Sequence, residues 1–160
     1  MARILNLTRP MNRGMHVLIA DDESDFRFSA SVALRGAGYR VTAAADGREA
    51  FARILEARAA RDPVEILVTD QQMPEMTGTE LVGLLRDWGI RIPVVLVTAY
   101  QGFLPVPGAS PGDIRILLEK PIEPEDLIAC LKKVATPGAE PGLTPWRRKW
   151  MSNPQPVSES

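Results

Sequence analysis

Glu65-Ile-Leu-Val-Thr-Asp70-Gln-Gln-Met-Pro-Glu-Met-Thr-Gly78 runs a short apolar, β-rich segment into a loop that opens on a carboxylate. The segment predicts a strand over 65–69 with Asp70 at its C-terminal end, and Pro74 and Gly78 mark the loop beyond. Upstream, His16-Val-Leu-Ile-Ala20 is a run of the same kind and leads into Asp21-Asp22-Glu23. A helix follows in which Phe26, Ala30, Ala33 and Leu34 share a face, closed by Gly36 and Gly38. Residues 39–43 predict the second strand. Asp46-Gly-Arg-Glu49 reads as a capping box opening a helix that buries Phe51, Ile54 and Leu55 and ends before Pro63.

Downstream, Leu81, Leu84, Leu85 and Trp88 form a helical stripe. Pro93-Val-Val-Leu-Val-Thr98 is a fourth strand, 113–118 a fifth, and Pro124 suits the first turn of a last helix over 125–134. Strands alternating with helices predict an α/β domain on a mostly parallel sheet. Between the fourth and fifth strands, Gln101-Gly-Phe-Leu-Pro-Val-Pro-Gly-Ala-Ser-Pro-Gly112 stands where a helix is expected. Its three prolines and three glycines argue against a regular one.

The length of 160 residues and 45% apolar content fit one domain with tails. The expected division is a flexible extension over 1–14, the domain over 15–136 and a flexible tail over 137–160, the last rich in Pro, Gly and Ser. With 19 basic and 20 acidic residues, no global field favours nucleic acid or an anionic membrane. Absence of a long apolar run or a secretory apolar block predicts a cytoplasmic protein with no transmembrane segment. The single cysteine, Cys130, lies on the apolar side of a helical pattern and reads as a core thiol. His16, the only histidine, reads as a surface or strand-edge residue without a role. In the tail, Leu143-Thr-Pro-Trp-Arg-Arg-Lys-Trp-Met151 reads as disordered chain, with docking on a partner or anionic surface as the sharper alternative.

Ligands of open parallel sheets bind beyond the C-terminal strand ends. Five polar residues fall there: Asp21, Asp22, Asp70, Thr98 and Lys120. Two like charges ~4 Å apart at an effective dielectric of ~20 cost about 4 kcal/mol, so three carboxylates need neutralising. A hard divalent cation such as Mg²⁺, with the Lys120 ammonium, does this. An Asp carboxylate can then act as nucleophile toward a phosphoryl group, with Thr98 bonding a phosphoryl oxygen and coupling the charge change to the neighbouring surface.

These residues sit in four motifs: Val17-Leu-Ile-Ala-Asp-Asp-Glu23, Asp70-Gln-Gln-Met-Pro-Glu-Met-Thr-Gly78, Val97-Thr-Ala-Tyr100 and Leu118-Glu-Lys-Pro121. In order and spacing, the stretch from about 16 to 136 resembles response-regulator receiver domains. The resemblance implies a stand-alone receiver with a flavodoxin-like, doubly wound, five-stranded parallel sheet and a degenerate fourth helix, as in a subset of receivers that includes some stand-alone ones and some attached to hybrid kinases. It implies Asp70 as phosphoacceptor, Asp22 as a direct Mg²⁺ ligand, Asp21 as an acidic partner acting through water, and Gln72 as donor of a backbone carbonyl to the metal. It also implies a cis Lys120-Pro121 bond, and a histidine kinase or phosphotransfer protein as phosphate source. Leu117 stands where the family commonly has an aromatic switch residue. Tyr100 lies where the family tunes dephosphorylation, which predicts a modestly long-lived acyl phosphate.

The expected function is a phosphorylation-dependent signalling switch acting through protein contacts, or a phosphate sink or shuttle, rather than an enzyme. An alternative is a Mg²⁺-dependent phosphatase of the haloacid dehalogenase type. That reading expects the nucleophile after the first strand with a second Asp two places on, whereas Asp21 is followed by Asp22 and Glu23. A DNA-binding regulator is a third reading, but the ~25 residues after Thr136 are too few for a helix-turn-helix domain.

Overall fold

The computed structural model describes residues 14–99, 109, 111–135 and 148. Five strands, β1 (His16–Ala20), β2 (Arg40–Ala44), β3 (Ile66–Asp70), β4 (Val94–Thr98) and β5 (Ile116–Glu119), form one parallel sheet in the order β2-β1-β3-β4-β5. Every residue of β1, β3 and β4 is buried, which is why these runs are continuously apolar rather than alternating. Successive side chains face opposite sides. Leu18, Leu67 and Leu96 pack on α2 (Gly47–Ala59) and α3 (Gly78–Asp87), whereas Ile19, Val68 and Val97 pack on α1 (Ser24–Gly36) and α4 (Pro124–Ala135). The sheet is thus doubly wound and flavodoxin-like. Its strand order reverses between β1 and β3, so the crevice between their C-terminal ends is the natural ligand position.

Helix ends follow local chemistry. Gly38 (φ 97°) and Gly89 (φ 71°) terminate α1 and α3 in Schellman turns, with Tyr39 N–H donating to the Leu34 carbonyl and Ile90 N–H to that of Leu85. The Asp46 side chain caps α2 by accepting from Glu49 N–H at 2.8 Å. Glu49 reaches back to the Ala45 N–H rather than to that of Asp46, so the expected capping box is one residue wider than the motif suggests. A complete box opens α3 instead, formed by Thr77 and Glu80.

Two features differ from expectation. The fifth strand starts at Ile116, because Pro111–Asp113 folds into a 3-10 turn in which Asp113 accepts a hydrogen bond from Arg86 at 2.8 Å. Among the described residues between β4 and β5 that turn is the sole helical element, and the fourth described α-helix follows β5. His16 is not at the surface. It begins β1 at 7% exposure, and the cause is a set of polar partners that make burial affordable. Its Nδ1 lies 2.9 Å from the Asp62 carbonyl, which can only accept, so Nδ1 bears the proton. Its Nε2 lies 2.7 Å from Thr42 Oγ1.

Cys130 is buried in the α1/α4 core, where desolvation pushes its thiol up to about 11, as expected of a packing residue. Trp88 is exposed and meets the Phe51 ring edge-on at 5.3 Å between centroids. Leu117 packs against the core on the α2/α3 side. Tyr100, most of the proline-rich stretch, and the two expected tails apart from Gly14 and Arg148 lie outside the described residues.

Candidate functional site

The parallel register decides which strand ends meet. Ala20 pairs with Thr69 and Asp70 with Val97, so Asp21, Asp70 and Thr98 leave three adjacent strands at one edge of the sheet. Carboxylate oxygens of Asp21, Asp22 and Asp70 all lie within 4.8 Å of one another. Asp21 and Asp70 are buried at 1% and 6% exposure, while Asp22 faces solvent. Lys120, reached from the end of β5, places its Nζ 2.8 Å from Asp21, 3.2 Å from Glu23 and 3.7 Å from Asp70. The same ammonium lies 4.8 Å from the centre of the Phe26 ring. The Lys120-Pro121 bond is cis.

Burial and repulsion by Asp21 and Asp22 raise Asp70 to about 6, against the opposing pull of Lys120 and of the adjacent Gln71 backbone. For Lys120, burial works to lower the pKa. The bond to Asp21, with the charges of Asp21 and Asp70 and the bond to Glu23, outweighs it, so the lysine is held protonated. One ammonium against three clustered carboxylates leaves excess negative charge in a confined space.

Asp70 is held by a latch beneath it. Gln71 is buried, its Nε2 donating to Thr79 Oγ1 and its Oε1 accepting from Thr79 N–H, both at 3.0 Å. Gly78 N–H donates to the Gln71 carbonyl at 3.0 Å. A β-carbon at Gly78 would stand 2.4 Å from the Asp70 carbonyl and 3.0 Å from Leu96 Cδ1, so only glycine lets α3 start this close to the strand end.

Of the six residues expected at the site, Asp21, Asp22, Asp70 and Lys120 are brought together. Thr98 is fully buried at the end of β4, and its carbonyl accepts from Lys120 N–H at 2.8 Å, tying the two strand ends. Gln72 follows the latch with its side chain exposed. Glu23, Phe26 and Gln71 join the site without being among the residues that the sequence places there. Glu23 was visible as the third acid of its cluster, but nothing local foretold that a lysine 97 positions away would contact it.

The donor set fits a hard divalent cation. All three side chains offer oxygen, and ligands ~2.1 Å from one Mg²⁺ lie about 3.0 to 4.2 Å apart, so an ion would draw the carboxylates inward from their spread of up to 4.8 Å. No helix among the described residues is long and apolar enough to cross a membrane.

A family model described as the response regulator receiver domain matches residues 17–132. The response regulator receiver protein CpdR of Brucella abortus (strain 2308) is 31% identical over 119 residues, covering 74% of this chain and 94% of that protein. Among solved structures, the chemotaxis response regulator CheY4 of Vibrio cholerae superposes with a TM-score of 0.63 at 32% identity, covering 76% of this chain and 98% of that one. The receiver domain of the hybrid histidine kinase CckA does so at 0.60 and 27%, covering 76% and 99%. With the acidic cluster, the lysine and the strand order in agreement with these similarities, the chain belongs to the response regulator receiver domain family.

Proposed function

We propose that this receiver is a phosphorylation-dependent switch of a two-component system, located in the cytoplasm, that accepts a phosphoryl group on Asp70 from a histidine kinase or phosphotransfer protein. The observation that supports it most is the placement of Asp70 at the switch point of the sheet, with two further carboxylates within 4.8 Å and Lys120 Nζ at 3.7 Å. Asp21, Asp22, Asp70 and the Gln72 carbonyl would hold Mg²⁺, which would supply charge neutralisation at the transferring oxygens. Bound there, the ion would also lower the cost of ionising Asp70, whose carboxyl is pushed up to about 6 by burial and by its acidic neighbours.

In the transfer, an Asp70 carboxylate oxygen forms a bond to phosphorus while the P–N bond of a phosphohistidine donor breaks. The departing imidazole keeps the bonding pair and regains its proton from solvent. Lys120 pairs with the phosphoryl oxygens that replace part of its contact with Asp21. Thr98, through its hydroxyl, bonds the same group and shifts the start of the segment that follows β4. The product is a regulator rather than an enzyme, and the switching unit spans 15–136 between two extensions. The haloacid dehalogenase alternative fares poorly: Asp21, its required nucleophile, is engaged by Lys120 at 2.8 Å and by Glu23 N–H at 2.8 Å.

Intact mass after incubation with acetyl phosphate tests the reading. One phosphoryl adduct should form with Mg²⁺, and none without it or in Asp70→Ala. An adduct that persists in Asp70→Ala would place the acceptor elsewhere.

A further inference from the structure

Phe28 and Val32 are 74% and 52% exposed. They stand one turn apart on α1, on the side opposite Ala30 and Leu34, which face the core. One exposed apolar residue on a helix is ordinary, whereas two in a stripe make a surface that another apolar segment can cover. Asp25 is exposed one turn before Phe28, and the exposed Asp22 and Glu23 precede it, so this face is acidic at its start. Arg27 lies to its side and donates to the Asp21 carbonyl at 2.7 Å.

The chain carries a segment of matching chemistry. Thr144-Pro145 is a helix-opening pair, an N-cap residue followed by proline at the first helical position, and Trp146 and Trp150 then fall four apart on one side. Arg148 is helical with its side chain exposed, and that spacing puts it opposite the tryptophans, with Arg147 and Lys149 flanking them. The segment also starts close by. In the parallel sheet α1 and α4 both run back toward the N-terminal strand ends, and they pack on the same core, so Ala135 ends α4 near the end of α1 that carries Val32. Eleven steps of chain from Ala135 to Trp146 can reach ~36 Å, against ~10 Å between the axes of packed helices. We propose that residues 144–151 dock on the outer face of α1 of their own chain. Trp146 and Trp150 cover Val32 and Phe28, and Arg147 and Lys149 lie toward the acidic start of the helix. The contact uses neither Asp70 nor Lys120, so it stands whether or not Asp70 is the phosphoacceptor.

In the full chain carrying Trp88→Phe, Trp146 and Trp150 are the only indoles, and acrylamide quenching of their fluorescence reads their exposure. Quenching should be about fivefold weaker than in a synthetic peptide of residues 141–152, because docking buries most of both rings. Phe28→Ser with Val32→Ser should raise it to the level of the peptide; both positions are exposed, so the urea midpoint should not move. Asp25→Lys should raise it part of the way, and Ala52→Ser, exposed on α2 across the sheet, should leave it unchanged. Quenching in the parent chain equal to that of the peptide would overturn the proposal, as would shielding that survives the Phe28/Val32 pair. Shielding lost on dilution would overturn it too, by giving this face to a second copy of the chain.

Discussion

At the N-terminal end of the sheet His16 and Arg40, direct partners across β1 and β2, bury charge and polarity against Asp62. At the C-terminal end Asp21, Asp70 and Lys120 do so around the switch point, beside the solvent-facing Asp22. The first cluster is closed. Both ring nitrogens of His16 are bonded, Arg40 pairs with the Asp62 carboxylate and donates from Nε to the Gly14 carbonyl at 3.0 Å, and the His16 N–H donates to Glu65 at 2.7 Å. The second is open, because three carboxylates share one ammonium and Asp70 is driven up to about 6. Burial of polar groups therefore does not by itself mark a functional site. An imbalance of charge that only a ligand can correct does.

The contrast can be broken most sharply by exchanging the cations. Lys120→Met should slow adduct formation from acetyl phosphate by about a hundredfold, the scale of losing one electrostatic contact to a developing charge. Arg40→Met should leave that rate unchanged; a matching loss would show that the two ends are coupled. In stability the order reverses. His16→Ala strips bonds from the Asp62 carbonyl and Thr42 and opens a gap at the start of β1, and should cost about 3 kcal/mol in urea denaturation without affecting adduct formation.

Asp70→Asn should move the other way. A carboxyl raised from 3.8 to about 6 binds its proton more tightly in the folded state, so its cost to stability is absent below the unfolded value, grows as pH rises toward 6, and is complete above it. In metal-free protein the amide should therefore stabilise by about 3 kcal/mol at pH 8, with the gain gone by about pH 3. A gain that persisted at low pH would assign it to something other than relief of charge. The smallest effect expected is that of the cation: Mg²⁺ at about ten times its Kd should add about 1.4 kcal/mol to wild-type stability at pH 8. Asp22→Ala should abolish that increment, and equal stabilisation of wild type and variant would remove Asp22 from the ligand set.

Much of this was legible in the chain. The buried strands announced themselves as unbroken apolar runs, and four of the six expected site residues converge because each follows a strand in a parallel sheet. Other features were hidden for physical reasons. The burial of His16 depends on Asp62 and Thr42, contributed by separate elements, and no periodicity in 16–20 reports on them. Asp113 reads as the start of a strand by apolar neighbours alone, but Pro111 and Gly112 set a turn and Arg86 from α3 fixes it there. The Thr77/Glu80 box was readable from its spacing, whereas Gln71 was not, since its partner Thr79 becomes adjacent only when α3 folds back onto the strand end.

The sequence by itself determined the alternation of strands and helices, a mostly parallel sheet, and the residue types at each strand end, because strand burial and turn chemistry are written locally in apolar runs, prolines and glycines. Only the tertiary structure decided that Lys120 rests on Asp21 and Glu23 closer than on Asp70, that Asp70 is forced toward protonation, and that His16 is sealed rather than exposed. Those outcomes depend on distances between groups far apart in the chain and on the dielectric around them. Both come into being only when the sheet closes over its two cores.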